Sequence, residues 1–203
     1  MQSELRREFF VGLDLGLRRD PSAVAVVERV ARDTKRFDPV QMCHVMERVF
    51  VVREVRQFPL ETPYVEIPAE VRRVIQGLAA GVSKTLTVDA TGVGAPVVEL
   101  LKKADLGARL KPVVITGGES VGQLPHATTV PRRTLLESLR ILMETRMLRI
   151  PEGLENRDAL RRELLGLGRR GTRERDDMAF ALALACWGLA PMGEFGFAPN
   201  RLF

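Results

Sequence analysis

Hydrophobic and polar positions alternate between two periods along this chain. Residues 9–16, FFVGLDLG, are a short, β-rich apolar run closed by a glycine, which predicts a buried strand ending in a turn. Residues 23–30 and the valine-rich stretch 42–54 predict two more strands, and the charged segment 32–39 between them has the composition of a hairpin loop. Three successive strands would thus form an antiparallel meander. Residues 57–68 hold Pro59, Pro63 and Pro68 and suit an irregular connection. The period then changes. Val71, Val74, Ile75 and Leu78 share one helical face within 69–80, with Gly81 as a stop. Residues 85–89 form a fourth strand, Pro96 opens a helix to about Lys103, and 110–116 form a fifth strand.

The second half is mainly helical. Residues 117–130, rich in Gly, Pro and Thr, predict an exposed loop or hairpin. Leu135, Leu139, Leu142 and Met143 form the apolar stripe of a helix over 132–146. A short extended piece at 147–150 precedes Pro151, and a further helix is expected over 154–165. A glycine- and arginine-rich loop, 166–175, leads into a helix over 176–189 that is acidic at its head and apolar in its body. No period runs through 191–203, which is expected to be a loosely ordered tail behind one domain spanning 1–190. A meander followed by alternating helices and strands predicts an α/β fold: a mixed five-stranded sheet, with three antiparallel strands plus parallel ones, flanked by helices.

Composition narrows the function classes. A chain of 203 residues with 45% hydrophobic content fits one globular domain with a real core. No apolar run approaches the roughly 20 residues of a membrane span, and no signal segment follows the charged start, so a soluble intracellular protein without membrane partners is expected. Cys43 and Cys186 lie far apart without CxxC or His pairing, which argues against zinc and for buried free thiols. His44 and His126 are isolated, and His126 suits a surface position. The net charge of +5 permits a polyanionic partner without requiring one.

The chemistry lies in acids that interrupt apolar elements. Asp14 closes the first strand, Asp89 the fourth, and Asp176 and Asp177 open the last helix. Each has a structural alternative, as a turn residue or a helix cap. Taken together they carry more weight. If the first and fourth strands are parallel neighbours, Asp14 and Asp89 emerge at the same carboxyl edge, where open α/β sheets gather ligands. A helix beginning there would add Asp177. Clustered carboxylates repel one another and need cations, and hard oxygen donors select Mg²⁺ or Mn²⁺.

These motifs resemble the C-terminal nuclease domain of phage terminase large subunits, within the ribonuclease-H-like superfamily. GLDLG at 12–16 followed by DPSAVAVV at 20–27 is similar to that family's first strand-turn-strand. VDATGVG at 88–94 is similar to its second acidic motif, and RDDMAFALALA at 175–185 to its third. The resemblance runs from about Phe10 to Trp187. It implies a metal-dependent endonuclease that cleaves double-stranded DNA with two divalent cations, Mg²⁺ or Mn²⁺, one activating water and the other stabilising the departing 3′ oxygen. Asp14, Asp89 and Asp177 would be catalytic metal ligands and Asp20 and Asp176 auxiliary ones, with either member of the 176–177 pair able to point inward. Gly92 and Gly94 would let the chain turn after Asp89. Residues 117–130 fall where the family carries a hairpin near the DNA path. Arg132, Arg133, Arg169, Arg170, Arg173 and Arg175 would hold the phosphate backbone, unless they line solvated surface.

One departure is large, because the chain has no GxxxxGK[ST] motif. The resemblance therefore implies an isolated nuclease domain or a stand-alone relative. Such a protein would be phage- or prophage-associated in the bacterial cytoplasm and would work with a separate packaging ATPase and portal. A Holliday-junction resolvase would share the fold and act as a dimer on branched DNA. An actin- or sugar-kinase-like phosphotransferase could imitate the strand-Asp-Gly motifs but needs two such domains and ATP. A non-catalytic DNA-binding module would have no use for acids at all three places.

Overall fold

The computed structural model describes residues 7–16, 20–40, 42–92, 94–167 and 175–189. The elements in chain order are β1 (Glu8–Asp14), β2 (Ala23–Asp38), β3 (Cys43–Gln57), α1 (Ile67–Gln76), β4 (Ser83–Asp89), α2 (Gly94–Lys103), β5 (Arg109–Thr116), β6 (Gly122–Gln123), β7 (Thr128–Pro131), α3 (Arg132–Glu144), β8 (Leu148–Arg149), α4 (Arg157–Gly166) and α5 (Asp177–Gly188). They build one eight-stranded sheet in the order β6-β7-β5-β4-β1-β2-β3-β8.

The five strands expected from the periodicity are all present, with β1, β2 and β3 antiparallel in sequence and β1, β4 and β5 parallel. The additional strands are short edges. The Gly/Pro/Thr-rich segment 117–130 yields the β6–β7 hairpin, whose second strand adds parallel to β5. The extended piece before Pro151 pairs with β3 as β8.

Several boundaries differ from the pattern for local reasons. Residues 32–38 are strand rather than loop, because the meander outruns its neighbours: β2 pairs with β3 as far as Asp38 and Cys43, whereas β1 accompanies it only to Arg29. Polar composition there reflects an arm standing clear of the sheet, with Phe37, Val40 and Met42 exposed near its tip. Helix α1 starts early, with Pro68 in its first turn where a missing N–H costs nothing, and ends at Gly77. Gly81, with φ of 71°, belongs to the turn before β4. Helix α4 starts late, because Asn156 is left-handed (φ 62°) and its side chain donates to the Val55 carbonyl at 3.0 Å.

Alternation along β1 splits the core into two layers. Phe9, Val11 and Leu13 face α1 and α2 together with Leu86 and Val88 of β4. Phe10 faces the other side, where α3, α4 and α5 pack. Helix α5 is buried on nearly every side, which is why its body shows no polar face. It lies on β1 at Gly12, where an added Cβ would sit 1.9 Å from the Ala181 carbonyl oxygen. Only a residue without a side chain permits that approach. Asp14 is two residues beyond Gly12, on the same face of the strand, and Asp177 is one helical turn before Ala181.

Candidate metal centre

The end of each acidic element is fixed by its backbone. In the parallel β1–β4 ladder the last aligned pair is Leu13 and Val88, so Asp14 and Asp89 are the next neighbours at the carboxyl edge. Both lie on the face covered by α5, since Leu13 and Val88 point the opposite way. The chain then turns sharply at Gly92 (φ 59°), and a Cβ on Gly94 would strike the Asp89 carbonyl at 2.3 Å. That is the tight turn expected of these two glycines. One Asp89 oxygen accepts the Thr91 amide at 2.8 Å, and the Thr91 hydroxyl accepts the Ile115 amide at 2.8 Å. Asp89 is therefore also held as a turn residue.

At the 176–177 pair the structure resolves the choice. Asp177 is 7% exposed and takes a hydrogen bond from Gln57 Nε2 at 3.0 Å. Asp176 faces outward and pairs with Arg132 at 2.6 Å. The Arg132 guanidinium also lies 3.9 Å from the centre of the Phe180 ring.

The electrostatics show how closely the acids gather. Burial pushes the Asp14 carboxyl well above its ordinary range, and the charges of Asp89, Asp177 and Asp176 push it further, opposed by Arg132. Burial also lifts Asp177 to about 6, with Asp20 and Asp176 adding to the rise and Arg175 and Gln57 opposing it. Asp20, just before β2, is exposed yet near enough to act on Asp177.

Of the arginines expected to meet phosphate, Arg132 is engaged with Asp176, and Arg133 is exposed and ion-paired to Glu137 at 2.6 Å. Arg175 is exposed beside Asp177. Arg169, Arg170 and Arg173 lie outside the described residues, as does the tail 191–203. Cys186 is buried, and burial raises its thiol far above the usual value, whereas Cys43 is only partly covered, contrary to the expectation of two buried thiols. Position 43 opens β3 beside the exposed tip of the arm, away from the packed layers.

Two residues of this edge escape a motif-based reading. Gln57 is one polar residue among several at the end of β3. Glu163, 8% exposed, sits in α4 and accepts the Ala179 amide of α5 at 2.9 Å. Its spacing from Leu160 and Leu167 puts it on the apolar stripe of α4, and a charge on such a stripe is the signal that could have found it.

The donor set is chemically suited to a hard cation: carboxylate oxygens, partly buried, with mutual repulsion that local arginines only partly offset. Asp89, Asp177 and Asp176 each hold a protein partner, and among the described residues no three carboxylate, imidazole or thiol groups close on a single point. The edge thus supplies the charge and the donors, while ligation would require the side chains to turn from the Thr91, Gln57 and Arg132 contacts toward one another.

No family sequence profile matches the chain, and no curated protein sequence matches it. A solved structure does: the nuclease domain of the large terminase g2p from bacteriophage SPP1, with bound Mn, matches over 90% of this chain and 86% of its own, with a TM-score of 0.50 and 12% identity. At that identity the likeness is one of fold. The architecture is the ribonuclease-H-like α/β sheet, and no helix among the described residues is long and apolar enough to cross a membrane.

Proposed function

We propose that this chain, which has the fold of a terminase nuclease domain, is a divalent-cation-dependent endonuclease that hydrolyses phosphodiester bonds of double-stranded DNA. The observation that carries the reading is the convergence of Asp14, Asp89 and Asp177, from three separate elements, on one sheet edge where their charges are left under-compensated. Burying like charges without full pairing costs stability, so their coexistence is accounted for by a cation partner. The manganese bound to the g2p nuclease domain supports the same choice of ion.

In this reading Asp14, Asp89 and Asp177 hold two Mg²⁺ or Mn²⁺ ions, and Asp20 and Asp176 assist by direct or water-mediated contact. When bound, such ions supply Lewis acidity, making a hydroxide nucleophile accessible at neutral pH and stabilising charge on the departing 3′ oxygen. The protein's own part is positional. Gln57 orients the Asp177 carboxylate. Arg132 restrains Asp176 and tempers the negative field. Arg133 and Arg175, with Arg169, Arg170 and Arg173, hold the phosphate backbone without reading bases, so cutting is weakly sequence-selective. A phage- or prophage-associated role, with a packaging ATPase and portal as separate partners, completes the proposal.

The test is cleavage of supercoiled plasmid with Mn²⁺, Mg²⁺ or EDTA, run beside Asp14→Asn and Asp89→Asn. Metal-dependent nicking or linearisation that drops to background in both folded variants is expected. Equal activity in wild type and variants would trace the cutting to a contaminant and remove the assignment.

A further inference from the structure

Helix α5 carries Asp177 as its first residue, and the amides of its first turn have no partners within the helix. The residue at the cap position, Asp176, makes no side-chain capping bond; its carboxylate is committed to Arg132. The cap comes instead from another helix. Glu163, buried in the middle of α4, accepts the Ala179 amide at 2.9 Å, and the Met178 amide also favours its charge.

We propose that Glu163 is a positioning residue for the metal centre: a cap supplied across the α4–α5 interface that fixes the head of α5, and with it Asp177, against β1. The helix body is already seated at Gly12, where Ala181 touches the strand. One seat alone lets the helix slide or fray at its head. A second anchor at Ala179, two residues from Asp177, fixes where that carboxylate sits relative to Asp14.

Glu163 holds this place at an electrostatic cost. Burial raises its carboxyl to about 7, and Asp177 and Asp176 raise it as well, against the favourable amides. A leucine or methionine would avoid that cost but leave the buried Ala179 amide without its acceptor. The functional half of this inference rests on the metal-centre reading, whereas the cap does not.

The test uses the full chain with Glu163→Gln, which keeps a side-chain oxygen acceptor, and Glu163→Leu, which does not; Glu163→Ala replaces the latter if it folds poorly. Three quantities are read: the melting temperature, hydrogen exchange of the α5 head without metal, and Mn²⁺ affinity by water-proton relaxation. In the Leu variant, which leaves the Ala179 amide without its acceptor, we expect a lower melting temperature, faster exchange at the α5 head, and Mn²⁺ binding weakened by about 10- to 100-fold. The Gln variant keeps exchange and affinity near wild type. Unchanged exchange in the Leu variant of a protein that binds Mn²⁺ overturns the positioning role alone. Equal loss of affinity in Gln and Leu also overturns it, by making Glu163 a ligand through its charge. A wild type that binds no Mn²⁺ overturns the metal centre itself, and the positioning role with it, whatever the exchange shows.

Discussion

Among the described residues, carboxylates are held away from water in two places, and they are treated in opposite ways. Glu28, on β2, is 1% exposed. Burial alone would raise its carboxyl, but bonds and charge from Arg7 and Arg53 outweigh burial and leave it below the ordinary value. At the carboxyl edge, burial raises Asp14, Asp177 and Glu163, and neighbouring carboxylates, Asp89, Asp176 and Asp20 among them, add to the rise instead of opposing it. The first site is a structural ion cluster whose charge is balanced by the fold. The second gathers acids without balancing charge, and the missing positive charge is what a bound cation would supply. Burial by itself does not separate the two; the sign of the surrounding charge does.

The most disruptive way to break the contrast is Gly12→Ala. The new methyl would meet the Ala181 carbonyl, which belongs to a helix backbone and cannot rotate away. Helix α5 must lift from β1, at a cost of about 3 kcal/mol or more. Urea denaturation should show this loss, and Asp14 and Asp177 should no longer act together in cleavage. A variant as stable as wild type would mean that α5 does not sit on the strand as described.

Neutralising one acid at each end sharpens the comparison. Glu28→Gln removes the counter-charge of Arg7 and Arg53 and should cost about 1–3 kcal/mol. Asp177→Asn relieves repulsion and should leave the metal-free protein as stable as before or more so, while abolishing cleavage. Equal destabilisation by the two substitutions, in urea titrations with EDTA, would erase the distinction.

The gentlest test changes only pH. Asp177 rises from 3.8 to about 6 and Glu163 from 4.5 to about 7 on folding. Between these values the folded chain holds protons that the unfolded chain has released, so metal-free stability should fall as pH rises from about 4 to about 7. Glu28 has the opposite sign, and its contribution is lost only as pH falls below its unfolded value of 4.5. Thermal melts in EDTA should therefore drift downward from mildly acidic to neutral pH, and Mn²⁺ should flatten the drift. Melting temperatures that climb from pH 5 to 7 would contradict the crowding of acids at this edge.

Much of this was legible in the sequence. The unbroken apolar run at Phe9–Leu13 marks a strand buried on both faces, and the wholly apolar run from Met178 to Cys186 marks a helix with no exposed side. Asp14, Asp89 and the 176–177 pair stood out because a charge at the end of such a run is conspicuous. The charged segment 32–39 reads as a loop but is strand as far as Asp38, because polar composition signals exposure rather than the end of a strand. Glu163 escapes notice because an acid in an arginine-rich helix looks solvated until its neighbours at helical spacing are known to be buried.

The sequence by itself determined the order of strands and helices and the ends on which acids sit, because periodicity and punctuation are local properties of the chain. Only the tertiary structure decided that β1 and β4 are neighbours in parallel, that Gly12 lets α5 bring Asp177 to Asp14, and that Asp177 turns inward while Asp176 pairs with Arg132. Those outcomes depend on contacts between residues far apart in the chain, such as Gln57 with Asp177. The field that raises one buried carboxyl and lowers another is a sum over neighbours in space, which chain order does not specify.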